Sequence, residues 1–155
     1  MRNVYIMNLK DNRGKGENLS SDVKFNLCFT NSIIAIGWVG YTLHRGSKNY
    51  DNAKETFDKI DTGDLVWVRN PKTKKYYICE VVKNKENIEY LKAHLKSNDI
   101  SNHRFVDFYE VGTKECLPDK ISYRNLISRS TVRRVNNGTV IKATNDKFNS
   151  LFGKV

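Results

Sequence analysis

The chain has 155 residues, 39% of them hydrophobic and 28% charged, which suits one compact domain and excludes both a pair of ordinary domains and global disorder. Lys and Arg outnumber Asp and Glu by 27 to 17, so a net charge of +10 survives every ion pair the chain can form, and the pI is near 9.5. Such a field selects a polyanion, of which nucleic acid is the commoner and an anionic membrane the other.

Val4 to Leu9 reads as a first strand, followed by a charged, glycine-rich loop from Asp11 to Asn18. The short apolar patch Val4–Met7 is too brief for a signal peptide, and no run reaches the roughly 18 residues that cross a bilayer. A soluble, cytoplasmic protein without a membrane partner is therefore expected. Ser20, Ser21 and Asp22 then offer a cap for a short helix carrying Val23, Phe25, Leu27, Cys28 and Phe29, which ends at Asn31 and Ser32. The β-branched run Ile33–Ile36 starts a buried strand that leads to Trp38. A helix is predicted over residues 52–60, with Ala53, Phe57 and Ile60 on one face, broken by Thr62, Gly63 and Asp64.

Leu65–Arg69 and Tyr76–Lys83 form the clearest hairpin, joined by a loop with Pro71 and three lysines. Leu65 and Trp67 fall on one side of it, Val66 and Val68 on the other, and Ile78 and Val81 repeat the split. Two-sided burial points to a sheet curled into a small barrel with helices against it, an α+β fold in a single domain spanning residues 1–155. Ile88, Leu91 and Leu95 have helical spacing, so residues 86–96 are a helix or a long connection, and Arg104–Val111 is the next strand. Ser122–Ile127 is ambiguous. Thr131–Val135, Asn136-Asn137-Gly138 and Thr139–Ile141 carry a hairpin signature, because Asn-Gly accepts positive φ cheaply, and a terminal helix is predicted over residues 146–152.

The segments Phe25–Cys28, Ile33–Trp38, Ile60–Asn70, Tyr76–Val81 and Arg129–Val135, in that order, resemble the PUA-like barrels of the EVE/YTH type. Modules of this kind are similar to those in prokaryotic defence proteins, often joined to nucleases or motor ATPases. The resemblance implies a mixed PUA-like barrel flanked by helices, with a pocket that takes an extruded, often modified, base between aromatic side chains. This chain carries no effector domain, so cutting or unwinding would fall to another protein.

Extruding a base costs a few kcal/mol. Stacking on one aromatic ring returns about 1–3 kcal/mol, so two rings offset the loss. Trp38 and Trp67 are the first candidates for those rings, then Tyr109 and Tyr5 near strand ends. Asn31, Ser32 and Asn70 are placed to read a base edge, and Arg69, Lys72, Lys74, Lys75, Arg129, Arg133 and Arg134 to hold phosphates. The expected partner is nucleic acid, DNA ahead of RNA, with an effector protein or a protein–nucleic acid machine as a further one.

No cofactor or metal is implied. His44, His94 and His103 are scattered, and Cys28, Cys79 and Cys116 lack the close pairing of zinc sites or a disulfide frame. The alternative enzyme reading is a metal-dependent nuclease using Asp64, Glu80 and Lys83, in which the lysine stands one position late and so on the wrong face of its strand. A second alternative is an interaction or inhibitor protein of a mobile element or phage-defence system.

Overall fold

Six strands form one continuous curled sheet whose spatial order departs from the chain order, and the connections that reorder it bring the helices onto its faces. The structure, a computed structural model, describes residues 1–9, 23–36, 48–83, 102–128 and 131–152. Its strands are β1 (Val4–Met7), β2 (Ile33–Ile36), β3 (Leu65–Arg69), β4 (Tyr76–Val81), β5 (Asn102–Gly112) and β6 (Val132–Arg134). Its helices are α1 (Val23–Asn31), α2 (Lys48–Asp58) and α3 (Gly138–Phe152), with short 3-10 turns at Lys114–Cys116 and Tyr123–Leu126. The order across the sheet is β2-β5-β4-β3-β1-β6, with β1 and β3 parallel and every other pair antiparallel.

The alternation read in the hairpin holds. Tyr5, Val66, Val68, Cys79 and Val81 belong to the core inside the curl with Phe25, Cys28 and Phe57, while Ile6, Leu65, Trp67 and Ile78 belong to a second core with Val140 and Phe148. Helix α2 lies against both edge strands, β2 and β6, through the apolar face that supplies Ala53 and Phe57, and so bridges the open side of the curl. Ile60, just past its end, is buried with them. No described helix is long and apolar enough to cross a membrane.

Two turns set where the strands end. Gly63, at φ +91°, turns the chain into β3. In the β3–β4 loop Asn70 Oδ1 accepts from the amides of Lys72 (2.9 Å) and Thr73 (3.2 Å), while Asn70 and Lys75 close the loop through an amide-to-carbonyl bond of 2.9 Å. The ambiguous segment resolves into a 3-10 turn, because Ser122 and Asn125 cap each other: Ser122 Oγ accepts from the Arg124 amide at 3.2 Å, and Asn125 Oδ1 from the Ser122 amide at 2.9 Å.

One expectation is corrected. Residues 131–141 are not a hairpin: β6 ends at Arg134, and Asn137 opens helix α3, its Oδ1 accepting from the amides of Thr139 (3.0 Å) and Val140 (3.3 Å). Val140, Ala143, Thr144 and Phe148 recur at helical spacing and all are buried, and that stripe outweighs the turn preference of Asn-Gly. The terminal helix is thus longer than predicted from residues 146–152. The predicted cap at residues 20–22 and the segment 86–96 lie outside the described residues.

Candidate nucleic-acid interface

Because β6 is an edge strand paired with β1, alternate β6 residues face opposite sides of the sheet at its border. Arg134 stands opposite Tyr5 and Arg133 opposite Ile6. A cleft of about 720 Å³ opens on the Arg134 side, between that border and helix α2, lined among others by Tyr5, Asn52, Thr56, Lys59, Arg134 and Asn136. The ring of Tyr5 is packed in the core, 1% exposed, and its hydroxyl donates to the carbonyl of Lys59, another residue of the cleft lining, at 3.4 Å. Burial raises the Tyr5 pKa, a nearby Asp64 carboxylate adds to the rise, and Arg134 opposes it. Asp64 is itself raised by burial, although its Oδ2 accepts from the Asp61 amide at 2.9 Å and Arg134 lies near enough to pull the other way. The cleft therefore combines a phenol, two carboxamides and two cations, a set able to hold an anion and to hydrogen-bond the edge of a planar ring.

The base-pocket candidates do not converge. Trp67 is corrected outright: it is 1% exposed beneath α3, and its Nε1 donates to Thr144 Oγ1 at 2.8 Å, so its face and its polar edge are both taken. Tyr109 lies edge-on to Phe148, with ring centroids 5.3 Å apart, on the same sheet face as Trp67 and away from the cleft. Asn31 closes the end of α1, Nδ2 donating to the Leu27 carbonyl at 2.8 Å. Ser32, at φ 53°, makes the turn into β2, and Asn70 forms the hairpin loop. The side chains of Asn31 and Asn70 are thus held by local backbone, and Ser32 serves the turn. Tyr5 is the member that borders the cleft. Trp38 and Arg129 lie outside the described residues.

The cations divide into two groups. Arg134 and Lys59 stand at the cleft, whereas Arg69, Lys72, Lys74 and Lys75 crown the hairpin at the other end of β3. Lys75 pairs with Glu110 at 3.3 Å, and the Arg69 guanidinium lies 5.7 Å from the centre of the Tyr76 ring. Arg133 borders the cleft, but its guanidinium donates to the carbonyls of Asn125 (2.7 Å) and Ile127 (3.1 Å), which makes it a tie between β6 and the 3-10 turn before it.

Sequence reasoning missed Asn52, Thr56 and Lys59. Their spacing of four and three marks a polar stripe beside the apolar face of α2, legible as a stripe but not as a wall, since the Arg134 and Asn136 it faces stand 75 to 84 positions later.

The nuclease geometry is not assembled. Glu80 pairs with Leu65 across the hairpin, so it shares that face and is ion-paired to Arg2, while Asp64, next to Leu65, lies on the Tyr5 and Arg134 side. The two carboxylates sit on opposite faces of the sheet.

No protein-family model matches the chain, and no curated protein does. Among solved structures it is similar to the YTH domain of Pho92, determined in complex with m6A, at 13% sequence identity and a TM-score of 0.46, over 93% of this chain and 82% of that one.

Proposed function

We propose that this chain is a nucleic-acid-binding module that admits a base, extruded and modified or not, to the cleft between α2 and the β1–β6 border. The observation that carries the reading is the convergence there of Arg134 and Lys59 with the hydroxyl of Tyr5 and the carboxamides of Asn52 and Asn136. The cations hold flanking phosphates, and the carboxamides and phenol meet the base edge. Because the Tyr5 ring is sealed in the core, the stacking face must come from elsewhere. We assign it to Trp38, two residues beyond the end of β2, the strand that α2 also touches. The net charge of +10 supports a polyanionic partner, and the curled sheet with its flanking helices fits the PUA-like architecture expected of the resemblance. DNA is the polymer proposed first, in a defence setting where a separate effector does any cutting.

Fluorescence anisotropy tests this with duplex DNA, single-stranded DNA and RNA, each bearing an unmodified or a modified base, N6-methyladenine among them, at low and moderate salt. The expected result is salt-sensitive binding, weakened by Arg134→Ala and by Lys59→Ala, with loss of base discrimination in Trp38→Ala. Absence of binding at low salt, or variants that all bind as the parent does, overturns the reading.

A further inference from the structure

Tyr123 is a large aromatic residue left 42% exposed, and its mount is rigid. The reciprocal capping of Ser122 and Asn125 fixes the turn that carries it, Leu126 anchors the turn in the second core, and Arg133 clamps the carbonyls of Asn125 and Ile127 from β6. Two cations attend the ring: Lys114 Nζ lies 5.7 Å from its centre and the Arg124 guanidinium 5.8 Å. A hollow of about 200 Å³ adjoins the turn, bordered by Arg69, Pro71, Tyr76, Leu126 and Ile127.

The charge around this platform is lopsided. Residues 69–75 and 114–124 together carry seven basic side chains and two acidic ones. Glu115 is occupied with the Thr113 hydroxyl, and of the seven cations only Lys75 makes an ion pair with a described residue. An exposed, rigidly held ring among cations is the arrangement by which proteins bind single strands, with bases stacking on the ring and phosphates meeting the cations.

We propose that the Tyr123 platform binds single-stranded nucleic acid, as the track for the strand that flanks the base in the cleft. The inference rests on the reading of that cleft, and the path between the two is short. β6 is the edge strand, Arg134 faces the cleft, and Arg133 on its other face is bonded to the very turn that presents Tyr123. A strand leaving the cleft therefore rounds a single edge strand to reach the platform.

The test is anisotropy with an oligodeoxythymidine of about ten nucleotides, matched to the site sizes of such surfaces, with oligouridine and a fully paired duplex as further arms. Tyr123→Ala is expected to weaken single-strand binding roughly 5- to 150-fold, the value of one stacked base, and to leave duplex binding unchanged. Tyr123→Trp retains binding, which separates stacking from a fold defect, and Lys114→Ala lowers the log–log salt slope by about 0.7. Parent protein that ignores oligothymidine, or a Tyr123→Ala variant that binds it as tightly as the parent, overturns the proposal. Arg134→Ala and Trp38→Ala read the cleft on base-bearing duplexes, so loss there with an unaffected Tyr123→Ala sinks the platform and leaves the cleft reading standing. The converse pattern supports the platform and removes the cleft.

Discussion

Thr144 holds the polar edge of the largest buried side chain, and it does so from within a helix. Its Oγ1 accepts from Trp67 Nε1 at 2.8 Å and donates to the Val140 carbonyl at 2.7 Å, in a region where Thr144 itself is fully buried. Thr144→Val keeps the shape but strands a buried indole N–H, so it should cost about 1–3 kcal/mol, read as a lower urea midpoint with an unchanged slope. That bond also explains why Trp67 misled as a base-pocket residue. Its place in an alternating strand is visible in the sequence, but the helix covering it begins 71 residues later at Gly138, where the sequence reads as a hairpin arm.

Thiols give a second test at this scale. Burial pushes Cys28 up to about 11 and Cys79 also upward, whereas Cys116 is exposed. At pH 8 a thiol reagent should label Cys116 in the native protein and all three cysteines only after denaturation. The sign of the linkage follows from the raised folded-state value of Cys28: its stabilising contribution is whole below the ordinary thiol value of 9.0 and is lost as pH rises toward about 11. The buried Tyr5, Tyr76 and Tyr77 and the half-buried Tyr109 are shifted in the same direction and add to it. Unfolding midpoints measured from neutral to strongly alkaline pH should therefore fall, and less steeply in Cys28→Ala.

At the scale of elements, Asn137 shows how one dipeptide can serve two structures. Asn-Gly suits a tight hairpin turn, yet here Asn137 Oδ1 takes two amides of the first turn of α3. Asn137→Ala should cost about 1 kcal/mol, and Asn137→Asp should recover most of it, which thermal unfolding of the two variants will measure. The elements that were legible share a property: their signal is local. Ala53 and Phe57 on α2, the two-faced alternation of β3 and β4, and the run Ile33–Ile36 each carry their pattern within one segment. The cleft was not legible because its walls come from β1, α2 and β6, and only the sheet order shows that these meet. Arg133 and Arg134 were both visible as a basic pair, but their division into a structural tie and an open cation depends on which faces of β6 the register assigns them.

At the scale of the whole molecule the question is which cations remain for a ligand. Arg2, Lys54, Lys59, Lys75 and Lys142 are ion-paired to Glu80, Asp58, Glu55, Glu110 and Asp146, and Arg133 is spent on carbonyls. Arg69, Lys72, Lys74, Lys114 and Arg124 make no ion pair with the described residues, and neither does Arg134, whose Nη2 donates to Asn3 Oδ1 at 3.0 Å. These form two groups, one at the hairpin end and one at the cleft, separated along the strands by the three residues from Val66, at the level of Tyr5, to Arg69, or roughly 10 Å. A strand spanning both would neutralise about six phosphates, giving a slope of log K against log salt of roughly −4.2, because each released counterion contributes about 0.7 on a single strand. Engaging only the hairpin end, with five of these cations, would leave a slope of roughly −3.5, and engaging only the cleft, with Arg134, roughly −0.7. Measured on the parent, the slope thus distinguishes a strand that reaches the hairpin end from one confined to the cleft. Combining Arg134→Ala with Arg124→Ala should lower it by the sum of the single effects if both groups touch the same strand, and by no more than the larger of them if they do not.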